Sequence, residues 1–506
     1  MASRSVAVVG GGLSGTLVAM RLLGLARPPQ MMRVLVIEPR PQLGPGLAYS
    51  TSCSGHLMNV RAGKLGLSDG DPDDFVNWAQ THFDFGVTPE SFVPRHIYGR
   101  YASELLAAAQ AKAHPYVALR HVRGEVVDLR HAGSEVELEL KSGSSIRADA
   151  AVLAPGNPPS SQDPVPDLEF RSSPHYVSSV WHNQAVPLYR DAQVLLLGSG
   201  LTAIDVAVAL NASGFQGVIH VVSRRGLWPR VHAPHPPCLR NIWEGQSFGS
   251  LRALLRALRQ EGRWAEANGG DWRAVVDSLR PYANRLWQEL PPADRLRFFR
   301  HLRPYWEAHR HRMAPQVARI VQDLAEQGRL RLHAGRLKVA FWDEEGADVQ
   351  IKLRGGSSLL LRVNRVINCA APESDYWKVN HPLWRNLLAR GIAVPGRMGM
   401  GLQTDADGRL INAEGQPWEN LFTLGATRIG SLIETTSVPE IRSQAAILAL
   451  RLHRLTESAF CEVLAVKVVG CAGQGRRGND ISYSFGVTDG NPGGDSDGAA
   501  DQEKNY

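Results

Sequence analysis

The sequence predicts an α/β protein. It should contain two Rossmann-like domains, the second with an all-helical insertion, followed by a disordered C-terminal tail. Three observations carry this reading. A glycine pattern occurs twice, each time between a short apolar strand and a helical stretch. Between roughly 239 and 315, apolar residues recur at helical spacing among many Arg, Trp and Leu residues. From about Gly473 (the stretch 473–506) the chain is rich in Gly, Asp, Ser and Asn, a composition that buries no core.

The first pattern follows the strand ending at Val9 and reads Gly10-x-Gly12-x-Ser14-Gly15. The first glycine allows a tight turn, the second lets backbone approach a pyrophosphate, and the third lets helix pack on strand. The helix N-terminus then faces the negative charge. A second strand, Met32 onward, ends in Glu38. A carboxylate there accepts hydrogen bonds from ribose hydroxyls and repels a 2′-phosphate, which fits FAD or NAD. A loop rich in Gly and Pro runs from Pro39 to Asn59. Alternating strands follow near Val126 and from Glu135 to Leu140, and a buried strand from Ala148 ends in a turn at Gly156. This part is set at 1–180, its last residues a Pro- and Ser-rich linker.

The second pattern, Gly198-x-Gly200-x-Thr202-Ala203, opens a domain set at 188–360. Its next strand ends in Ser223-Arg224-Arg225, with no acid. Guanidinium groups there can pair bidentately with a phosphate, which fits NADPH; the other reading is a solvated basic turn. The predicted insertion, 239–315, contains Leu251–Leu258 and Arg295–Leu302 at helical spacing. Gly328 to Gly335 returns to strand. The strand-turn Arg365 to Pro372 is read as the return to the first domain, whose second part is set at 361–460. Asn420 to Ala426 is a further strand-turn. Ser437 and Glu440 form a capping box for a helix reaching about Leu455.

With 506 residues the chain is long enough for two or three domains. No apolar run approaches the roughly 18 residues needed to span a bilayer, and the N-terminal apolar stretch is a glycine-broken strand, not a signal peptide. The five cysteines are scattered, without a C-x-x-C pair or metal-ligand spacing. The expectation is a cytoplasmic protein with no metal and no redox disulfide. A net charge of +7 with arginine spread through the chain does not indicate nucleic-acid binding.

Over about residues 5–455 the chain resembles bacterial FAD/NAD(P)-binding flavoproteins related to class B monooxygenases, a family that includes amino-acid N-oxygenases, some acting on aspartate. The motifs above carry the resemblance, with Gly44-Pro-Gly46, His56-Leu-Met-Asn59, Asp271-Trp272-Arg273, Trp306-x-x-His309-Arg310-His311-Arg312 and Gly430-Ser-Leu-Ile-Glu434 through Pro439-Glu440-Ile-Arg442. Two places depart from it. Gly425 is followed by Ala426 where many flavoproteins have Asp, so backbone or Thr427 must meet the flavin chain. Ala370-Ala371-Pro372 stands where Thr-Gly-Pro is commoner.

The resemblance implies FAD and NADPH as cofactors. FAD contacts are expected from Gly10, Gly12, Ser14, Gly15, Glu38, Val126, Gly156, Gly425, Thr427, Glu434 and Val438. NADPH contacts are expected from Gly198, Gly200, Thr202, Ser223, Arg224 and Arg225. It places the helix opening at Ser437 under the pyrimidine end of the flavin. Asn59, His56 and Arg312 are the catalytic candidates. Against these stand plainer readings: a turn asparagine, a structural loop histidine, and, with His309 and Arg312 sharing one helix face by their spacing, solvated or salt-bridged arginines. Trp272 and Trp287 are assigned to the core. The implied activity is NADPH-dependent N-oxygenation of an amine or amino acid by O2 through a flavin C4a-(hydro)peroxide, in a biosynthetic pathway. Baeyer–Villiger oxygenation, an NADPH:acceptor oxidoreductase and an inert nucleotide-binding scaffold stay open, as does a homodimer.

Overall fold

The chain is described by a computed structural model over residues 3–25, 31–68, 70–160, 164–165, 167–181, 189–238 and 240–471. The predicted tail from 473 and parts of the linker after 160 lie outside those residues. Residues 1–458 form one unit and 459–506 another.

β1 (Ser3–Val9) turns through the first glycine motif into α1 (Leu13–Leu25), and β2 (Met31–Ile37) lies parallel to β1. Their apolar runs are continuous because parallel strands are covered on both faces. α2 (Asp74–His82) and α3 (Arg95–Lys112) precede β3 (Val117–Val122), which pairs with β2. An antiparallel meander of β4 (Val126–Ala132), β5 (Glu135–Leu140) and β6 (Ser145–Ala148) then leads to β7 (Ala150–Leu153), which pairs with β1.

The second sheet begins with β8 (Tyr176–Val177), β9 (Gln193–Leu197), α4 (Leu201–Ala212) and β10 (Val218–Ser223). Five helices follow: α5 (Leu251–Ala267), α6 (Trp272–Leu279), α7 (Ala283–Glu289), α8 (Pro292–Arg297) and α9 (Arg303–Arg310), with a π turn at Phe298–Leu302. This insertion has its own cores, around Trp243, Val275 and Leu286 and around Trp287 and Phe298. It leaves and re-enters the sheet domain at one neck. Val231 bridges Met313, Met313 N donates to Arg230 O (2.9 Å), and His232 N donates to Met313 O (3.0 Å).

Helix α10 (Pro315–Glu326) packs against α4 and returns the chain to β11 (Leu330–Trp342). β12 (Ala347–Leu353) and β13 (Ser358–Val363) extend β11 as an antiparallel hairpin, and β14 (Arg365–Asn368) lies parallel to β9. α11 (Pro382–Ala389), β15 (Arg409–Ile411), β16 (Pro417–Thr423) and α12 (Val438–Cys471) complete the described residues.

The first sheet has six strands, ordered β15-β16-β7-β1-β2-β3; the second has seven, ordered β13-β12-β11-β10-β9-β14-β8. Both sheets have a parallel centre with a glycine turn at the carboxyl end of an inner strand, where such folds bind ligands. Two boundaries differ from expectation. β14 belongs to the second sheet, so the chain returns to the first domain only after Cys369 and not at 361. β8, within the predicted 1–180, also joins the second sheet. A short apolar strand looks the same in either sheet, and only its pairing partners decide.

Candidate dinucleotide and substrate site

At the end of β1, Gly10 has φ +106° and an added Cβ would lie 2.3 Å from Ala154 O. Only glycine fits that turn. A Cβ on Gly15 would fall 1.9 Å from Gly10 O, so α1 packs directly on the turn. Gly12 faces Gly46, where a Cβ would stand 3.3 Å from Gly46 Cα. Glu38 closes the cradle and is buried. Its carboxylate accepts Gly11 N (2.8 Å), Arg40 N (3.0 Å) and Arg40 Nε (2.8 Å). Burial pushes the Glu38 pKa up, but Arg40 and the backbone bonds outweigh it and hold the group below the usual carboxylate range. It is therefore an anion, already shared with Arg40.

The turn after β16 meets this cradle. A Cβ on Gly425 would sit 3.4 Å from Ser14 Oγ. Gly156 lies in an exposed turn with open space around it. At three expected FAD contacts the side chain is already buried or bonded. Thr427 is fully buried, and its hydroxyl is bonded within its own turn to Thr423 Oγ1 (2.5 Å) and Leu424 O (3.1 Å). The Val126 and Val438 side chains are buried in the cores on the two faces of the first sheet, so only their backbone could serve. Glu434 is discussed below.

The second cradle has the same form. Gly198 has φ +114°, and a Cβ would approach Cys369 O to 2.7 Å. Gly200 caps α4 with φ −82°, and nothing lies within 4 Å of where its Cβ would stand, so space for a phosphate is open at that helix N-terminus. Thr202 is half-buried in the first turn. Ser223 Oγ is held by Ser199 Oγ (2.8 Å) and Gly226 N (3.1 Å). Arg224 is exposed, and the Arg225 guanidinium stands 5.5 Å over the Tyr305 ring. The residues at both cradles fit a dinucleotide, and only the second offers cations without an acidic partner at its strand end.

Between the cradles, the loop containing His56 and Asn59 reaches the second domain. His56 is buried; its Nε2 donates to Asp205 O (2.9 Å) and its Nδ1 pairs with the Thr51 hydroxyl (2.7 Å). Asp205 in turn holds Arg95 through two bonds (2.7 and 3.1 Å). Both imidazole nitrogens are thus occupied, and His56 pins the loop to α4. These contacts match the plainer reading of a structural loop histidine. Asn59 is half-buried, its side-chain amide has no hydrogen bond among the described residues, and its carbonyl accepts His232 Nε2 (3.1 Å). Burial, helped by the Arg312 charge, pushes His232 down to about 4, so it is neutral near pH 7.

Arg312 lies beyond the end of α9, at the neck, so it does not share a helix face with His309 as the spacing suggested. It is 2 % exposed. One guanidinium nitrogen binds Asp277, while Nε and Nη1 have no partner among the described residues. Asp277 also meets His235 (3.3 Å). Arg310 and Glu434 form a buried bidentate pair, both bonds 2.9 Å. The Glu434 carboxylate, expected at the FAD, is bonded to the insertion.

The insertion grips the whole 430–440 segment. Trp287 Nε1 donates to Gly430 O (2.9 Å), Asn284 bonds the Glu434 backbone on both sides, and Arg280 binds Glu440 (2.7 and 2.8 Å) and Ser437 (3.0 Å). Ser437 and Glu440 do meet at the start of α12, with Arg280 as the third member. Trp287 is core as expected; Trp272 is half-buried, with the Arg273 guanidinium 4.5 Å over it. His232, Arg280 and Asn284 carry no local sequence signal. Only the fold brings them together.

The sequence model of the FAD-NAD(P)-binding family matches residues 7–158. No curated protein matches the chain by sequence. Solved structures match it in fold. Ornithine hydroxylase PvdA of Pseudomonas aeruginosa is 15% identical, with 90% of this chain and 99% of that chain covered and a TM-score of 0.63. Ornithine N-hydroxylase KtzI of Kutzneria sp. 744, in its structure with reduced FAD, NADP+ and L-ornithine, is 15% identical over 90% and 99%, TM-score 0.58. Bacillithiol disulfide reductase Bdr of Staphylococcus aureus is 12% identical over 89% and 98%, TM-score 0.52. The N-terminal segment thus carries the FAD-NAD(P)-binding family pattern, and the described chain has the two-domain fold of these proteins.

Proposed function

We propose that the chain is an NADPH- and FAD-dependent monooxygenase that N-oxygenates an amine or amino acid with O2. The observation that carries the reading is the asymmetry of the two glycine cradles: an acid closes the first and free arginines close the second. This supports FAD at β1–α1 and NADPH at β9–α4. The ornithine hydroxylases of like fold support the reaction class. Bound FAD would accept hydride from NADPH and, once reduced, activate oxygen.

The protein's own part is placement. The N-terminus of α12 offers partial positive charge toward an anionic ring system, and the insertion fixes its position through Arg280. Asn59 offers a free amide where loop, neck and insertion meet. His232, neutral near pH 7, holds the Asn59 backbone there without adding a charge. The unpartnered Arg312 Nε and Nη1 are suited to a substrate carboxylate.

The test is turnover of purified, FAD-loaded protein with a panel of amines and amino acids in air. N-hydroxylated product in proportion to NADPH consumed supports the reading. Faster anaerobic turnover with an artificial electron acceptor, and no oxygenated amine, would assign the fold's reductase chemistry instead. Oxygenation of ketones alone would assign a Baeyer–Villiger enzyme.

A further inference from the structure

Beyond the Ser223–Gly226 turn the second sheet changes character. β11 runs parallel to β10 as far as Ala334 and antiparallel to β12 from Gly335. At this change lies a cleft of about 410 Å³. Arg224 and Arg225 line one side. Arg336 and Lys338 from β11, Lys352 and Arg354 at the end of β12, and Arg300 from the insertion line the rest. No acidic residue lines the cleft, and these five further cations have no ion pair among the described residues.

Two details set this apart from an ordinary basic surface. Arg336 stands directly opposite Lys352 in the strand register. Like charges directly opposite destabilise a sheet unless something neutralises them. Lys338 falls where the register shifts between Leu337 and Val339, a bulge that re-aims its side chain. A 2′-phosphate on Arg224 and Arg225 brings about two negative charges. The β11–β12 cations remain uncompensated.

We propose that the cleft is a second anion site, taking a small oligophosphate that spans from the β11–β12 cations to Arg224 and Arg225. Its volume is in the range of small-molecule sites and well beyond one phosphate. Because it shares Arg224 and Arg225, occupancy excludes NADPH and leaves FAD in place. The exclusion rests on the NADPH reading above; the binding does not.

The experiment uses full-length, FAD-loaded protein and inorganic tripolyphosphate at fixed ionic strength, followed by calorimetry and by NADPH-driven flavin reduction. Wild type should bind one tripolyphosphate and show competitive inhibition against NADPH. Arg336→Ser with Arg354→Ser should weaken tripolyphosphate at least tenfold and NADPH less than threefold; Lys338→Ser with Lys352→Ser should do the same. Arg224→Ala should weaken both ligands. Unchanged tripolyphosphate binding in both double variants overturns the proposal. So does equal inhibition by sulfate at matched ionic strength, or a parallel loss of NADPH, which would make the cleft part of the cofactor site. If tripolyphosphate does not bind while Arg224→Ala still discriminates NADPH from NADH, this inference fails and the proposed function stands. If tripolyphosphate binds in the expected pattern and NADPH does not reduce the flavin, the reverse holds.

Discussion

Gly200→Ala separates folding from cofactor binding at the second cradle. Nothing lies within 4 Å of a Cβ built on Gly200, and its φ of −82° is ordinary for alanine. The fold therefore has no steric reason to reject the change. Alanine caps a helix worse than glycine, by less than ~1 kcal/mol. A pyrophosphate drawn onto the α4 N-terminus would meet the new methyl group directly. Loss of one charge-assisted hydrogen bond costs about 1.5–3 kcal/mol, and each ~1.4 kcal/mol is tenfold in affinity. NADPH affinity should thus fall roughly 10- to 150-fold, with FAD content unchanged and the melting temperature nearly so. Flavin bleaching against NADPH concentration, beside a thermal melt, reads all three. Wild-type NADPH affinity in a folded Gly200→Ala variant would refute a pyrophosphate at this turn.

Three further outcomes are expected. Arg224→Ala should weaken NADPH far more than NADH, measured as the ratio of the two apparent affinities in flavin reduction; equal loss would return the arginines to a solvated turn. Arg310→Met leaves the Glu434 carboxylate buried and alone, a change that costs about 3–5 kcal/mol. FAD should be released at a lower temperature, and Arg310→Met with Glu434→Met should recover much of the loss; no recovery would deny the pair its role. His232 has a folded pKa of about 4, below its ordinary value. Between these values the unfolded chain binds more protons than the folded one, so stability falls as pH drops from about 6.5 to about 4. His232→Gln keeps a donor toward Asn59 O and removes the titration. It should flatten part of that slope in urea midpoints, and an unchanged slope would show that His232 does not titrate there.

Much of the fold was legible because its signals are local. A glycine forced to positive φ against a neighbouring strand, as at Gly10 and Gly198, cannot be replaced, so the turns appear in the sequence. The helical insertion showed in its spacing, and the acid at Glu38 and the arginines after Ser223 fall at fixed distances from their turns. The site was less legible. Glu434, Thr427 and His56 look like free polar groups in the sequence, yet each is committed to a partner from elsewhere in the chain or in its own turn. Spacing alone put Arg312 on a helix face with His309, but the helix ends two residues earlier.

The sequence alone thus determined that two glycine-turn domains exist and that they differ in charge where a ribose would lie, since backbone sterics and strand-end chemistry act over a few residues. Tertiary structure decided the rest. It showed which sheet β14 joins, that the insertion closes at the Val231–Met313 neck, and that Arg280, Asn284, Trp287 and Arg310 hold the start of α12. Those contacts join residues more than eighty positions apart in the chain. They depend on which buried polar groups find partners when the domains meet, and no local pattern encodes that.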